Sequence, residues 1–332
     1  MRADIPQCYP SAKAIPLTLF SLYQLTYALF APSVIAGVWA EKLSHAGLLA
    51  FVMIWPLLIY NFVAHWVWHE SGWMNKQNDL SVIDFAGGLV AMTTAGTAAL
   101  VLAFMLPGRP PSLREPHNNP LHYVGATLML FAWYALVIGA AYRTTNVGTS
   151  GTPSSALLGA HMAAMAGALT WAIALRAVDR RWHMRELLHG ALAGLAGAAA
   201  GVGYCAPYAS CVVGVLCASV ALLFRRFARD VIWLDDALGV ISIFGVPATL
   251  GSLLIAFVAD TRYGSPLDGI FRDLDQGGKL FKSQIVGVVS VITWTGVMTT
   301  LLVMVLKRAL AFESVAKADD VGIDLVELGE RT

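Results

Sequence analysis

Charged residues are scarce in this chain of 332 residues. Lys, Arg, Asp and Glu together make up 13% of the sequence, apolar residues make up 57%, and the mean hydropathy is +0.65. Soluble globular domains carry about 25% charged residues, so an ordinary soluble domain is excluded. The net charge is +1 and no basic run with interleaved aromatics is present, so the sequence predicts no nucleic-acid partner.

Cysteines and catalytic patterns are also sparse. The cysteines Cys8, Cys205, Cys211 and Cys217 have neither zinc-site spacing nor the density of a disulfide framework. No Ser/His/Asp set, metal spacing or phosphate-binding loop stands out, so the sequence predicts a non-enzyme without cofactor or metal. The first 14 residues lack an apolar run, so no cleaved signal peptide is expected.

Long uncharged stretches are what the chain does contain. A bilayer-spanning helix needs about 20 mostly apolar residues. The sequence therefore predicts an all-α fold, a polytopic membrane bundle of about nine transmembrane helices. The predicted spans are 15–40, 46–66, 82–106, 121–142, 155–176, 186–203, 209–224, 237–259 and 284–306. The spans 186–203 and 209–224 are short and rich in glycine or alanine, which is typical of closely packed helices.

The distribution of Lys and Arg predicts the orientation. If the amino terminus lies outside and each span crosses once, 14 of these residues lie inside and 8 lie outside. Cytoplasmic loops carry the excess of positive charge. We therefore expect an external segment 1–14, a membrane domain 15–309 and a cytoplasmic tail 310–332, in a multi-pass protein of the plasma membrane.

Two segments near opposite ends of the chain share a pattern. Asp84-Phe85-Ala86-Gly87-Gly88 opens one apolar span, and Asp236 opens another with Gly239 close behind. In each, a bulky residue follows the aspartate by eight positions. Transporter folds are often built from two inverted halves that meet at a midplane site. A chance pairing of two glycine-bearing spans is the alternative, and Asp84 also suits a simple N-cap of a helix beginning at Phe85.

Several motifs, in this order and spacing, carry a family resemblance. They are Tyr23-Gln24 with Tyr27, Ala40-Glu41-Lys42, Ala64-His65-Trp66-Val67-Trp68, Asp84-Phe85-Ala86-Gly87-Gly88, Pro116-His117-Asn118 with Trp133, Gly190-Ala191-Leu192-Ala193-Gly194, Asp235-Asp236 with Gly239-Val240, Trp294, and Gly322-Ile323-Asp324-Leu325 with Gly329-Glu330. The chain resembles the ammonium transporter family (Amt/Mep/Rh) over about 14–329. The resemblance implies a trimer of eleven-helix subunits, each with its own pore. It identifies the chain as a divergent member in which the first two helices have no counterpart, leaving an incomplete inverted repeat.

At the outer mouth, the resemblance implies a recruitment site that is only partly retained. Trp68 matches the family, Tyr27 keeps a ring where the family has phenylalanine, and Asp84 is the buried aspartate behind the site. The second gate phenylalanine falls on Leu136, and the serine falls on Ala140. Without the resemblance, Trp68 is equally typical of an interfacial aromatic belt.

At the pore centre, the resemblance implies a larger change. The family's two facing histidines fall on Met92 and Phe244, and Trp133 falls along the same pore. A thioether or a phenyl ring cannot relay a proton, because a relay must both accept and donate one. We therefore expect an interrupted proton path and a lumen that Phe244 obstructs.

Three functions remain open on the sequence. The first is ammonium transport with altered or impaired conduction, with ammonium or ammonia as substrate and methylammonium as a further candidate. The second is a non-conducting regulatory or assembly subunit of ammonium transporters, and the third is a truncated inactive paralogue. The expected partners are the lipid bilayer and a trimer, formed by this chain alone or together with full-length family members.

Overall fold

A computed structural model describes residues 8–9, 12–39, 42–108, 118–144, 152–232, 234–236 and 238–313. The predicted segment 1–14 falls mainly outside these residues, as do Ala40-Glu41, Pro116-His117 and the tail from 314 onward. Two short strands, β1 (Cys8–Tyr9) and β2 (Ala12–Pro16), pair antiparallel before the first helix.

All other secondary-structure elements of the described residues are helices, which confirms the all-α membrane bundle. In chain order the helices are α1 (Leu17–Trp39), α2 (His45–Trp55), α3 (Asn61–Trp68), α4 (Thr94–Met105), α5 (Asn119–Thr144), α6 (Thr152–Asp179), α7 (Met184–Ala198), α8 (Pro207–Asp230), α9 (Val246–Val258) and α10 (Leu274–Ala309). A π-helix, Pro56–Tyr60, joins α2 to α3. The π-helices Gly88–Thr93 and Val240–Gly245 precede α4 and α9, and a 3₁₀ turn, Thr261–Tyr263, follows α9.

Eight helices of the described residues are long and apolar enough to cross a membrane. The predicted ninth span, 186–203, differs: α7 ends at Ala198, and a series of turns follows it. Its 15 residues extend about 22 Å, and the turns after Ala198 carry the chain to Tyr204, whose carbonyl accepts from the Asp260 N–H after α9, so 184–204 together can complete the ninth crossing. Every side chain from Leu188 to Ala198 is buried, so α7 is an interior helix packed between α6, α8 and α9.

The segment 260–283, between the predicted spans 237–259 and 284–306, is about half helical. Helix α10 begins at Leu274, because the Asp273 carboxylate accepts hydrogen bonds from the backbone N–H groups of Asp275 and Gln276. The remaining loop is held by Asp260, which is 2% exposed and lies 3.0 Å from Arg262 and 2.9 Å from Arg272. The buried Asp260 carboxylate therefore connects the start of the loop, after α9, to its end, before α10.

Gly96 of α4 and Gly245, the last residue of the π-helix before α9, touch backbone to backbone. A Cβ added to Gly96 of α4 would lie 2.2 Å from the Cα of Gly245, and a Cβ on Gly245 would lie 2.7 Å from the Cα of Gly96. Real Cβ atoms do not approach backbone this closely, so only glycine fits at either position. This contact fixes the distance between the two π-helices that precede α4 and α9.

Gly96→Ala is expected to lower the free energy of unfolding by about 2 kcal/mol, because overpacking forces the two halves apart. Gly125→Ala is the matched control, since a Cβ there meets nothing within 4 Å and alanine favours the helix. Thermal unfolding in detergent measures both. Equal stability of the two variants would show that the backbone contact does not constrain the bundle.

Candidate functional site

The Asp84 carboxylate caps the start of the π-helix Gly88–Thr93. Its Oδ1 accepts a hydrogen bond from the Gly87 N–H at 3.0 Å, and its Oδ2 accepts one from the Val90 N–H at 2.8 Å. Gly87 has φ 84°, a left-handed conformation that glycine adopts without strain. The helix therefore begins at Gly88 and not at Phe85 as predicted, and the carboxylate, 4% exposed, is a buried cap.

The second half repeats this construction. Asp236 Oδ1 accepts from the Ile241 N–H at 3.1 Å, and Oδ2 accepts from the Ser242 N–H and hydroxyl, each at 2.9 Å. Gly239 has φ 71°. Burial raises the pKa of Asp236, and the hydrogen bonds from Ser242 and Ile241 oppose the rise. Each half thus enters its π-helix through an aspartate, a left-handed glycine and two capped N–H groups.

Three of the predicted outer-mouth residues lie together. The Trp68 indole N–H donates to the backbone carbonyl of Asp84 at 3.0 Å. The Tyr27 ring meets the Trp68 ring edge to face, with centroids 5.2 Å apart. Trp68 ends α3 and Tyr27 lies on α1, so two helices bring aromatic rings to the capped turn.

The other two predicted residues, Leu136 and Ala140, lie on α5, and a tyrosine of α1 connects Leu136 to this group. Leu136 is 6% exposed and Ala140 is fully buried. The Tyr23 hydroxyl donates to the Leu136 carbonyl at 2.9 Å and lies 3.3 Å from the Tyr27 hydroxyl. Sequence reasoning quoted Tyr23 only as part of a motif. Its spacing of four from Tyr27, which places both rings on one helix face, is the signal that could have identified it.

The three predicted pore residues are buried apolar groups. Met92 is 1% exposed, Phe244 is 7% exposed and Trp133 is 1% exposed. Trp133 stacks on Phe244, with centroids 6.1 Å apart and planes 19° apart. A second ring in contact with Trp133 is that of Phe30 of α1, edge to face with centroids 5.6 Å apart, which sequence reasoning missed. These three rings form a continuous aromatic column.

A glutamine of α10 provides hydrogen-bond partners for the backbone of the segment before Asp84. The Gln284 side-chain amide donates to the carbonyls of Ile83 at 3.0 Å and Ser252 at 2.8 Å, and its oxygen accepts from the Ile83 N–H at 3.1 Å. Gln284 is fully buried. One side chain therefore satisfies the backbone groups of two different halves, and no sequence pattern pointed to it.

Asp235 and Asp236 have different roles, although they are adjacent in the sequence. Asp236 is the cap, whereas Asp235 forms an ion pair with Lys42 at 2.8 Å. The two side chains are 4% and 2% exposed. The pair joins the segment between α1 and α2 to the segment that carries the second cap.

Two intramembrane histidines have partners of their own. His161 is exposed and hydrogen bonded to the Tyr134 hydroxyl at 3.0 Å. Arg225 donates to His189 Nδ1 at 2.9 Å and to Glu186 at 2.5 Å. His189 Nδ1 also lies 3.4 Å from Glu186 Oε2, so this ring nitrogen is placed between the guanidinium and the carboxylate.

Known proteins are similar to this chain over almost its whole length. The family model described as the Ammonium Transporter Family matches residues 9–332. Ammonium transporter 1 of Dictyostelium discoideum is 30% identical over 97% of this chain and 68% of its own length. An ammonium transporter of Mycobacterium tuberculosis is 32% identical over 97% of this chain and 69% of its own length.

Solved structures agree with the sequence comparison. The crystal structure of Saccharomyces cerevisiae Mep2 superposes with a TM-score of 0.82 at 26% identity, covering 94% of this chain and 72% of that one. The capped π-helices, the membrane bundle and the match across almost the whole chain lead to one conclusion. The chain belongs to the ammonium transporter family.

Proposed function

We propose that this chain transports ammonium-derived nitrogen across a membrane, with a partly retained entrance and impaired conduction. The observation that carries the proposal is the group formed by Trp68, Tyr27 and Asp84 directly before the π-helix that bears Met92. A cation attracted to the rings then faces Met92 and Phe244 further in, and neither side chain exchanges a proton.

Ring faces recruit the cation in this proposal. An ammonium ion over the face of a tryptophan or tyrosine gains about 0.5–2 kcal/mol, more as it loses water. Trp68 is fixed by its bond to the Asp84 carbonyl, so its face is held without the cost of ordering a free side chain. The buried Asp84 carboxylate adds negative charge behind the rings.

The pore centre opposes passage of the ion. Burying an unpaired charge among apolar groups is costly, so NH4+ faces a high barrier beside Met92 and Phe244. Neutral NH3 meets no such barrier, but the Phe244 ring is held by its stack on Trp133. We therefore propose slow movement of the neutral species, with the proton path interrupted.

A non-conducting regulatory or assembly subunit is the second candidate. It is favoured by the same aromatic column, in which Phe244 is 7% exposed and packed against Trp133. In either function we propose a trimer, of this chain alone or mixed with full-length family members. We further propose the plasma membrane as its location, with 1–14 outside, 15–309 in the bilayer and 310–332 in the cytoplasm.

Restoring the imidazoles tests the proposal. We expect the natural chain, in cells without their own ammonium transporters, to take up labelled methylammonium at least tenfold more slowly than Mep2 at equal surface amounts, a barrier difference of about 1.4 kcal/mol. The double variant Met92→His, Phe244→His is expected to raise uptake and growth on limiting ammonium. The matched control Met92→Leu, Phe244→Leu adds no proton acceptor and is expected to leave uptake low.

Two results would contradict the proposal. Uptake by the natural chain equal to that of Mep2 would refute impaired conduction. No uptake by either the natural chain or the histidine variant, with both at the cell surface, would refute transport by this chain alone. Co-purification with a full-length family member would then support the subunit role.

A further inference from the structure

Four ionisable side chains meet where α5 and α7 begin and α8 ends. Arg225 of α8 lies 2.5 Å from Glu186 of α7 and 2.9 Å from His189 Nδ1. The side chains of Glu186 and His189 are 15% and 6% exposed. The ring of His122, on α5, meets the His189 ring edge to face, with centroids 4.9 Å apart. We call these four side chains the histidine cluster.

His122 differs from the other members of the cluster in one atom. Its Nε2 is buried and has no hydrogen-bond partner among the described residues, although the residue as a whole is partly exposed. A neutral imidazole keeps one acceptor nitrogen, whereas the charged ring donates at both nitrogens. Charging His122 therefore places a buried donor at Nε2 without an acceptor, which is unfavourable.

Positive charge faces His122 from the neighbouring helices. The charged groups that act on it are Arg185 and Glu186 of α7 and Arg225 of α8. Glu186 is already shared by both arginines, at 3.3 Å and 2.5 Å. A proton on His122 would thus add a third positive charge around one carboxylate.

The other neighbours of the cluster bring no compensating negative charge. On α5 the adjacent ring is that of Tyr123, with centroids 6.2 Å apart, and α6 contributes the uncharged indole of Trp171, which lies against His189. Strand β2 also packs on α5, but at the opposite end, where α1 begins and Tyr23 meets Leu136.

We propose that the histidine cluster is an acid-sensitive latch, which holds the first turns of α5 against α7 while His122 is neutral and opens when His122 is protonated. Histidine is the side chain whose ordinary charge change falls between about pH 5 and 8. Protonation of such clusters is a means by which proteins release a packed contact.

The latch connects two elements that support the aromatic column. Helix α5 carries Trp133 eleven residues beyond His122, or about 16 Å along the helix. Helix α7 packs against the π-helix that carries Phe244. Opening the latch therefore loosens a support of the Trp133–Phe244 stack. With the orientation proposed above, the latch responds to acid on the cytoplasmic side.

The sign and size of the effect follow from proton linkage. A solvated histidine has a pKa of about 6.5. If only the neutral ring fits the closed contact, closure is complete well above that pH and is lost as the pH falls below it. Between pH 7.5 and pH 5.5, the equilibrium constant for closure is expected to fall about tenfold.

Hydrogen–deuterium exchange of the full chain in detergent measures this opening and does not require transport. After correction for the pH dependence of intrinsic exchange, the backbone amides of 123–130 are expected to lose about tenfold in protection between pH 7.5 and pH 5.5. His122→Gln keeps a hydrogen-bonding side chain that cannot be charged, so its protection is expected to be equal at both pH values. His122→Lys places a charge there permanently and is expected to be unprotected at both.

Two further variants separate the latch from general effects of acid. His65→Gln removes an exposed imidazole of α3 and is expected to retain the full tenfold loss of the natural chain. His122→Asn, a shorter neutral amide, is measured beside His122→Gln, so that poor folding of one variant does not decide the result.

Two results would overturn the proposal. Equal protection of 123–130 in the natural chain at both pH values would show that the contact does not respond to acid. A tenfold loss that persists in His122→Gln and His122→Asn would assign the response to another group.

Discussion

Asp84→Ala is expected to lower the free energy of unfolding by about 3 kcal/mol and to abolish the stabilisation of the chain by ammonium. A hydrogen bond to a charged group contributes about 1.5–3 kcal/mol, and Asp84 accepts two, from Gly87 and Val90. Alanine leaves both N–H groups buried without an acceptor. The Trp68 indole, which is bonded to the backbone of residue 84, then loses its fixed position.

The matched control for this change is Asp273→Ala. Asp273 also accepts from two backbone N–H groups, but it lies at the solvent-facing start of α10, where water can replace it. Loss of such an exposed cap costs about 1 kcal/mol. Chemical or thermal unfolding in detergent compares the two variants. Equal losses would show that burial of the Asp84 cap is not what makes it important.

Lys42→Met is expected to have an effect of similar size, about 3–5 kcal/mol, because it leaves the Asp235 carboxylate buried without its partner. Replacing both residues, in Lys42→Met, Asp235→Leu, is expected to recover much of the loss, since two apolar side chains need no compensation. A double-mutant cycle on unfolding free energies measures the coupling.

The exposed pair Arg229 and Asp230 provides the comparison for this cycle. Their side chains are 75% and 56% exposed, and water screens such pairs. Arg229→Met is therefore expected to cost less than about 1 kcal/mol. Additive effects of the Lys42 and Asp235 changes would mean that the two residues act independently, against the ion pair as a structural connection.

The sequence predicts the membrane helices well, because length and apolar composition are local properties. Helix α7 is the exception. It has the composition of a span, yet the helix ends at Ala198. Its length depends on tertiary packing against α6, α8 and α9. Charge in the loop before α10 concealed the start of that helix at Leu274, where the signal was the Asp273 cap.

Those residues of the candidate site that belong to sequence motifs can be predicted from the sequence. Asp84, Trp68 and Tyr27 were named from the sequence and lie together. Gln284 and Lys42 were not assigned to it, because a contact between residues so distant in the chain leaves no periodic pattern. The same holds for Phe30, whose place beside Trp133 depends on how α1 meets α5. The site's supporting contacts are a property of packing.

The Gln284 contact also bears on how the protein is made. Gln284 follows Ile83 by 201 residues, and synthesis at about 5–20 residues per second separates them by roughly 10 to 40 s. The N–H groups of Phe85 and Ala86 likewise acquire their acceptors, the carbonyls of Ala200 and Ala199, only after part of that interval. Until the later helices enter the bilayer, the segment 83–86 depends on temporary acceptors such as water or the insertion machinery. The segment around Asp84 is thus among the last parts of the newly made chain to mature.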